Sequence, residues 1–316
     1  MIEAHDLTRR FVVRERAGLV RRRKRVVEAV AGVDLQIAAG ELVGYVGPNG
    51  AGKSTTIKML TGILVPTSGT VRVAGLDPVR RRIELTRRIG VVFGQRSQLW
   101  WDLPLADSFD LLRHVYRVPR DQHRAQLEQF GELLELGPFL ATPVRQLSLG
   151  QRMRGELVAA LLHEPEVIFL DEPTIGLDVV AKAAVREFLL EVNRERGVTV
   201  LLTTHDLADI ERLCRRLLII DRGRVIWDGG LDELVERYGE ERTLVVDLAE
   251  SRAPLEVSGA RVVRIDGPRQ WLRFSRGETT AAALVGAVAA EAQLVDLSVE
   301  EPEVEEIVRR IYKEGV

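Results

Sequence analysis

Eight consecutive residues constrain the fold of this chain more than any others: Gly47-Pro48-Asn49-Gly50-Ala51-Gly52-Lys53-Ser54. They lie between a predicted strand at 41–47 and a predicted helix that begins with them and ends at Gly62 or soon after. Glycines at 47, 50 and 52 let the backbone curl until successive N–H groups point inward, and the helix dipole favours negative charge at the same place. Phosphate fits such a cradle. Lys53 then reaches the β- and γ-phosphates of a nucleotide, Ser54 gives its hydroxyl to Mg2+, and Thr55 adds a further hydroxyl contact. The alternative, a plain glycine turn with Ser54 capping the helix, is disfavoured by the strand before it and the helix after it.

Further strands at 167–171, 198–204 and in Arg216-Leu217-Leu218-Ile219-Ile220 alternate with helices, which predicts a mostly parallel α/β sheet covered on both faces. Residues 1–40 read as an antiparallel β layer of short strands, interrupted by a basic insertion that contains Arg21 to Arg25. From about Asp107 to Thr142 the apolar spacing of Phe109, Leu112, Val115, Leu127, Phe130, Leu133 and Leu134 predicts an all-helical insert. The character shifts near Gly229-Gly230. Residues 243–316 read as three strands, an Ala-rich helix at about 279–292, a strand and a terminal helix, an α+β accessory domain.

A net charge of -2 gives no global pull toward nucleic acid, so none is expected as a partner. The single cysteine excludes an intrachain disulfide, and no Cys and His cluster has metal-ligand spacing, which fits a reducing compartment. Cys214 shares a helical stripe with Leu207, Ile210, Leu213 and Leu217 and reads as buried filler. No apolar stretch approaches the roughly 20 residues that span a bilayer, and the N-terminus lacks the regions of a signal peptide. The expectation is a cytoplasmic chain that reaches a membrane only through a partner.

The apolar run Val167-Ile168-Phe169-Leu170 ends in Asp171 and Glu172, at the carboxyl end of a strand where open α/β sheets bind ligands. Asp171 is placed to hold Mg2+, through water, and Glu172 to orient or deprotonate an attacking water. His205 ends the next strand, within reach of a γ-phosphate and that water. Another anion site is written in Leu147-Ser148-Leu149-Gly150-Gln151, which opens a helix although the chain already has its phosphate loop.

With Gly47–Ser54, Leu147–Gln151, Leu170–Pro173 and Thr203–Asp206 in this order, residues 1–230 resemble the ATP-binding subunit of an ABC transporter. The resemblance implies the ABC nucleotide-binding fold over 1–230, with an antiparallel β subdomain and a helical subdomain at about 96–165, followed by the accessory domain at 231–316. It implies ATP and Mg2+, and two copies in a head-to-tail sandwich. Ser148, Gly150 and Gln151 would then bind the γ-phosphate of ATP held by the opposite subunit, which gives the second anion site its purpose. Gln95 resembles the glutamine that ligates Mg2+ or water and also feels the membrane subunit, and Asp178 the acid that communicates across the dimer. Phe11 is the candidate for stacking on adenine, with core packing as an equal alternative. Leu149 departs from the family pattern, where Gly is usual. A helix-start backbone tolerates it, whereas a requirement for positive φ would strain it.

Trp100 and Trp101 are adjacent and cannot both face one core, so a docking surface for a separate integral-membrane permease is expected near Gln95, Trp100 and Trp101. Arg21 to Arg25 are either a solvated loop or a contact for anionic lipid. The extended forms around Trp100 and Leu149 look most like subunits of bacterial export systems. A soluble ABC-type ATPase of translation or DNA repair is the rival, but one cassette, no heptads and no Cys pairs count against it. Intact Glu172 and His205 count against a module that holds ATP without turnover.

Overall fold

The computed structural model describes the chain except residues 18–20, 95, 240, 276, 303, 315 and 316, and the side chains of 14–17, 21–23 and 314 are also outside the description. It divides into two units, Met1–Asp228 and Gly229–Val316.

The first unit opens with two long strands, β1 (Ile2–Ala17) and β2 (Arg21–Ile37), paired antiparallel from Ile2↔Ile37 to Ala17↔Arg21. The basic stretch therefore continues the ladder, where short interrupted strands were expected. Its β-branched residues keep the pairing: Val12 faces Val26 and Val13 faces Arg25 across the strands. After β3 (Leu42–Val46) and α1 (Lys53–Leu60), β4 (Ser68–Val73) joins β1 to complete a sheet of order β2-β1-β4.

A short α2 (Arg82–Leu85) and β5 (Ile89–Phe93) lead into the helical insert, α3 (Leu105–Tyr116), α4 (Arg120–Leu133) and α5 (Leu149–Leu161). Phe109, Leu112, Phe130 and Leu134 are buried there as their spacing predicts, while Val115 and Leu133 are exposed. Then come β6 (Val167–Asp171), α6 (Val179–Arg196), β7 (Thr199–Thr203), α7 (Leu207–Leu213), β8 (Arg216–Asp221) and β9 (Arg224–Gly230). Cys214 is buried, and burial pushes its thiol up, yet it is extended backbone after α7 and Leu217 belongs to β8, so the predicted helical stripe stops at Leu213.

The second sheet has the order β5-β6-β7-β3-β8-β9, parallel from β5 through β8. Val43, Tyr45, Phe169, Leu201 and Leu218 fill its interior with Ile57 and Leu60 of α1. Because β3 sits beside β7, and β7 beside β6, the carboxyl ends of those strands share one edge. That adjacency positions the site.

The second unit contains α8 (Leu231–Tyr238), β10 (Glu241–Leu248), β11 (Ala260–Asp266), β12 (Arg269–Ser275), α9 (Ala281–Glu291), β13 (Leu294–Glu300) and α10 (Val304–Glu314). Its antiparallel sheet, β11-β12-β10-β13, buries Leu244, Val246, Leu272 and Phe274 against Leu284 and Val288 of α9. Among the described residues no helix is long and apolar enough to cross a membrane.

Candidate functional site

The loop from Gly47 to Gly52 joins β3 to α1. Gly52, at φ 114°, is the N-cap of α1 and no side chain caps the helix, so Ser54 is not the cap that the bland reading required. A left-handed cap without a Cβ leaves the first N–H groups of α1 open toward the cavity. Lys53 is 7% exposed, and its Nζ donates to the carbonyls of Gly47 and, at 3.3 Å, Pro48. Burial lowers its pKa, while Glu172 and Asp171 hold it up.

Around this loop lies a cavity of about 680 Å3, walled by Ala29, Asn49, Lys53, Thr55, Glu172 and His205 among others. A neighbouring cavity of about 260 Å3 is lined by Ser54, Lys58, Phe93, Gly94, Arg96, Asp171 and Glu172. Ser54 and Glu172 belong to both. Gln95 lies outside the described residues.

Asp171 ends β6 opposite Thr203 of β7, whose hydroxyl donates to Asp171 Oδ1 at 2.6 Å. Sequence reasoning missed Thr203, although its place before Thr204-His205 is a signal that it orients the acid. Glu172 has φ 58°, a left-handed conformation that costs a non-glycine residue about 1–2 kcal/mol. Its N–H donates to the Thr203 carbonyl at 3.0 Å, and its Oε2 lies 2.6 Å from His205 Nδ1. The strained turn thus aims the carboxylate toward the end of β7, and Glu172 and His205 face the same cavity. Ala29 and Ile175, also cavity wall, carried no sequence signal.

Ser148 is the N-cap of α5. Its hydroxyl accepts from the Gln151 N–H at 3.2 Å and Gln151 Oε1 accepts from the Ser148 N–H at 2.9 Å, a reciprocal capping box. Leu149 is not among the residues with positive φ, so the strain raised against it is absent. Ser148, Gly150 and Gln151 do not line the 680 Å3 cavity. Asp178 Oδ1 accepts from the Ala181 N–H at 2.8 Å and caps α6.

Phe11 is half-buried beneath the Arg9 guanidinium, 4.7 Å from its ring centroid, and joins neither the core nor the cavity wall. It pairs with Val27, two residues from the cavity residue Ala29, which sits at the bulge where the register shifts between Arg9 and Arg10. Trp100 and Trp101 are both exposed, at 38% and 52%, and the Arg152 guanidinium sits 5.8 Å from the Trp101 ring. Arg154 pairs with Glu135. The side chains of residues 21–23 lie outside the description.

A glycine loop between β3 and α1, a histidine just past the end of the adjoining β7 and two acids at the end of β6 beyond it define a P-loop nucleotide-hydrolysing site on an α/β sheet. The family model described as ABC transporter matches residues 30–175. The chain is 34% identical over 241 residues to the ABC transporter ATP-binding protein NatA of Bacillus subtilis, covering 76% of this chain and 94% of that one. It is 39% identical to the Nod factor export ATP-binding protein I of Paraburkholderia xenovorans, over 65% of this chain and 67% of that one. Among solved structures, a dimeric ATP-binding cassette in a post-hydrolysis state with ADP and Pi superposes with a TM-score of 0.63 at 27% identity, covering 73% of this chain and 99% of that one. The chain belongs to the ABC transporter ATP-binding proteins. It is an ATPase of that family and binds ATP.

Proposed function

We propose that this chain is the motor subunit of a bacterial exporter, working as a head-to-tail homodimer that drives a separate membrane permease. One observation carries the dimer: the anion-binding start of α5 does not line the chain's own nucleotide cavity. The open N–H groups of Leu149 and Gly150 are then available to a nucleotide held by a second copy.

In this reading the loop N–H groups and Lys53 hold the β- and γ-phosphates, and Thr55 contacts the triphosphate. Ser54 and Asp171 border one cavity and offer hard oxygen donors, a set that fits Mg2+, with Gln95 as a third donor. Bound there, the cation would supply neutralisation of the phosphate charge. Glu172 takes a proton from water as the water oxygen bonds to the γ-phosphorus; the bond from that phosphorus to the bridging oxygen breaks, giving ADP and phosphate. His205 turns from Glu172 to the γ-phosphate. Ser148, Gly150 and Gln151 stabilise the same phosphate from across the dimer, Asp178 fixes the start of α6 at that junction, and Phe11 receives the adenine.

Exposed Trp100 and Trp101 supply the permease contact, a few residues after Gln95 in the chain. Arg21 to Arg25 lie on the hairpin and suit anionic headgroups. Residues 96–165 act as the helical subdomain and 231–316 as an accessory domain. Export is supported by the name of the Nod factor relative and by the sequence around Trp100. The test is phosphate release and light scattering of wild type and Glu172→Gln with ATP and Mg2+. Hydrolysis by wild type and an inactive, ATP-bound dimer of the variant support the motor; a variant that binds ATP and stays monomeric defeats it.

A further inference from the structure

Glu156 is a carboxylate 4% exposed, in the apolar half of α5, and the hydrolytic mechanism does not use it. The Ser97 hydroxyl donates to its Oε1, and the Gln98 N–H donates to its Oε2 at 3.2 Å. The Gln98 side-chain amide donates to the Glu156 carbonyl at 3.2 Å, and the Leu99 N–H to the Ser97 hydroxyl at 3.1 Å. One turn earlier Arg152 covers Trp101. Between them Gly155 leaves space that Leu105 and Leu99 share: a Cβ there would fall 2.8 Å from Leu105 Cδ1 and 3.3 Å from Leu99 Cδ1. Residues 152, 155 and 156 follow the i, i+3, i+4 spacing of one helix face. A single face of α5 therefore grips residues 97–101 by charge, by shape and by hydrogen bonds.

The other end of α5 is the capping box at Ser148, about 12 Å away at the helical rise of 1.5 Å per residue. We propose that Glu156 is a positioning residue that fastens the 97–101 loop to α5, so that a partner bound at Trp100 and Trp101 moves the anion donors at Leu149 and Gly150. The docking half of this statement rests on the permease reading above; the fastening half does not. A carboxylate suits the task because it accepts from a hydroxyl and a backbone N–H at once, which an apolar side chain in the same space cannot do.

The test is amide hydrogen exchange on the full chain without nucleotide, comparing wild type with Glu156→Ala, Glu156→Gln and Ser97→Ala. Exchange in Glu156→Ala is expected to rise about tenfold at residues 97–101 and measurably at 149–151. Ser97→Ala, at an exposed loop position, shows a smaller rise at the same two places, and Glu156→Gln, which still accepts, stays within about twofold of wild type. If Glu156→Ala does not fold, Ser97→Ala decides. Wild-type exchange at 97–101 in the Ala variants, or loosening confined to 97–101, overturns the proposal. A parallel titration in the Glu172→Gln background separates the two readings: the ATP concentration for dimer formation rises several-fold with Ser97→Ala while ATP binding to the monomer is unchanged. Failure of Glu172→Gln itself to dimerise defeats the motor reading, and the exchange result still decides this one.

Discussion

Two helix starts in the first unit, those of α1 and α5, both read from the sequence as anion sites, and they are finished differently. α1 begins at Gly52 with no side-chain cap and with Lys53 buried beside it. α5 begins at Ser148 with a complete capping box and a half-exposed flank. An uncapped start inside a cavity leaves open donors that only an anion satisfies well, whereas a self-capped start stands in solvent without a ligand. The first suits a nucleotide the subunit holds itself, the second a phosphate that arrives with another molecule.

Removing the charge at the first start is the harshest way to break the contrast. Lys53→Ala should lower ATP affinity by about 10²-fold or more, measured by equilibrium binding, because a charge-assisted contact is lost in a largely enclosed site. Glu172→Gln should leave ATP binding intact while phosphate release falls by about 10²-fold or more. Ser148→Ala should cost α5 about 1 kcal/mol of local stability, seen as faster exchange at 149–151, with ATP binding to the monomer unchanged. Loss of monomer binding in that variant would mean that the two starts serve one nucleotide in one chain.

The smallest effect concerns pH. Burial raises the Glu156 pKa against the hydrogen bonds from Ser97 and Gln98. A carboxyl whose folded pKa lies above its unfolded value favours folding most at pH below the ordinary carboxylate range, and that contribution is lost as pH rises through the folded value. Glu156→Gln has no such titration, so the melting temperature of the variant relative to wild type should climb as pH rises above the ordinary carboxylate range. A constant difference would contradict the burial of a titrating group there.

The nucleotide loop, Asp171, Glu172 and His205 were legible because each combines a short motif with a strand end, and parallel order brings strand ends together. The helix-start geometry of Ser148 was legible for the same local reason. The long β1–β2 hairpin was not: in a two-stranded ladder open to solvent nothing forces alternation of apolar residues, so its arginines read as a break. Cys214 misled because the apolar spacing continues past Leu213 while the helix does not. Glu156 carries no motif, and its meaning depends on a loop some sixty residues earlier that folds onto it. Helix α8 also went unread, although Leu231, Leu234, Val235 and Tyr238 keep the i, i+3, i+4, i+7 spacing of one helical face.

The central claim, that each site is completed by a second copy, is tested most directly by mixing two inactive variants. Lys53→Ala disables a subunit's own loop, and Ser148→Arg disables what it offers to its partner. A mixed dimer then places both defects in one site and leaves the other whole. Phosphate release should return to about a quarter of the wild-type rate when equal amounts are combined, from half the dimers carrying one good site each. A mixture no more active than the two variants apart would contradict the account.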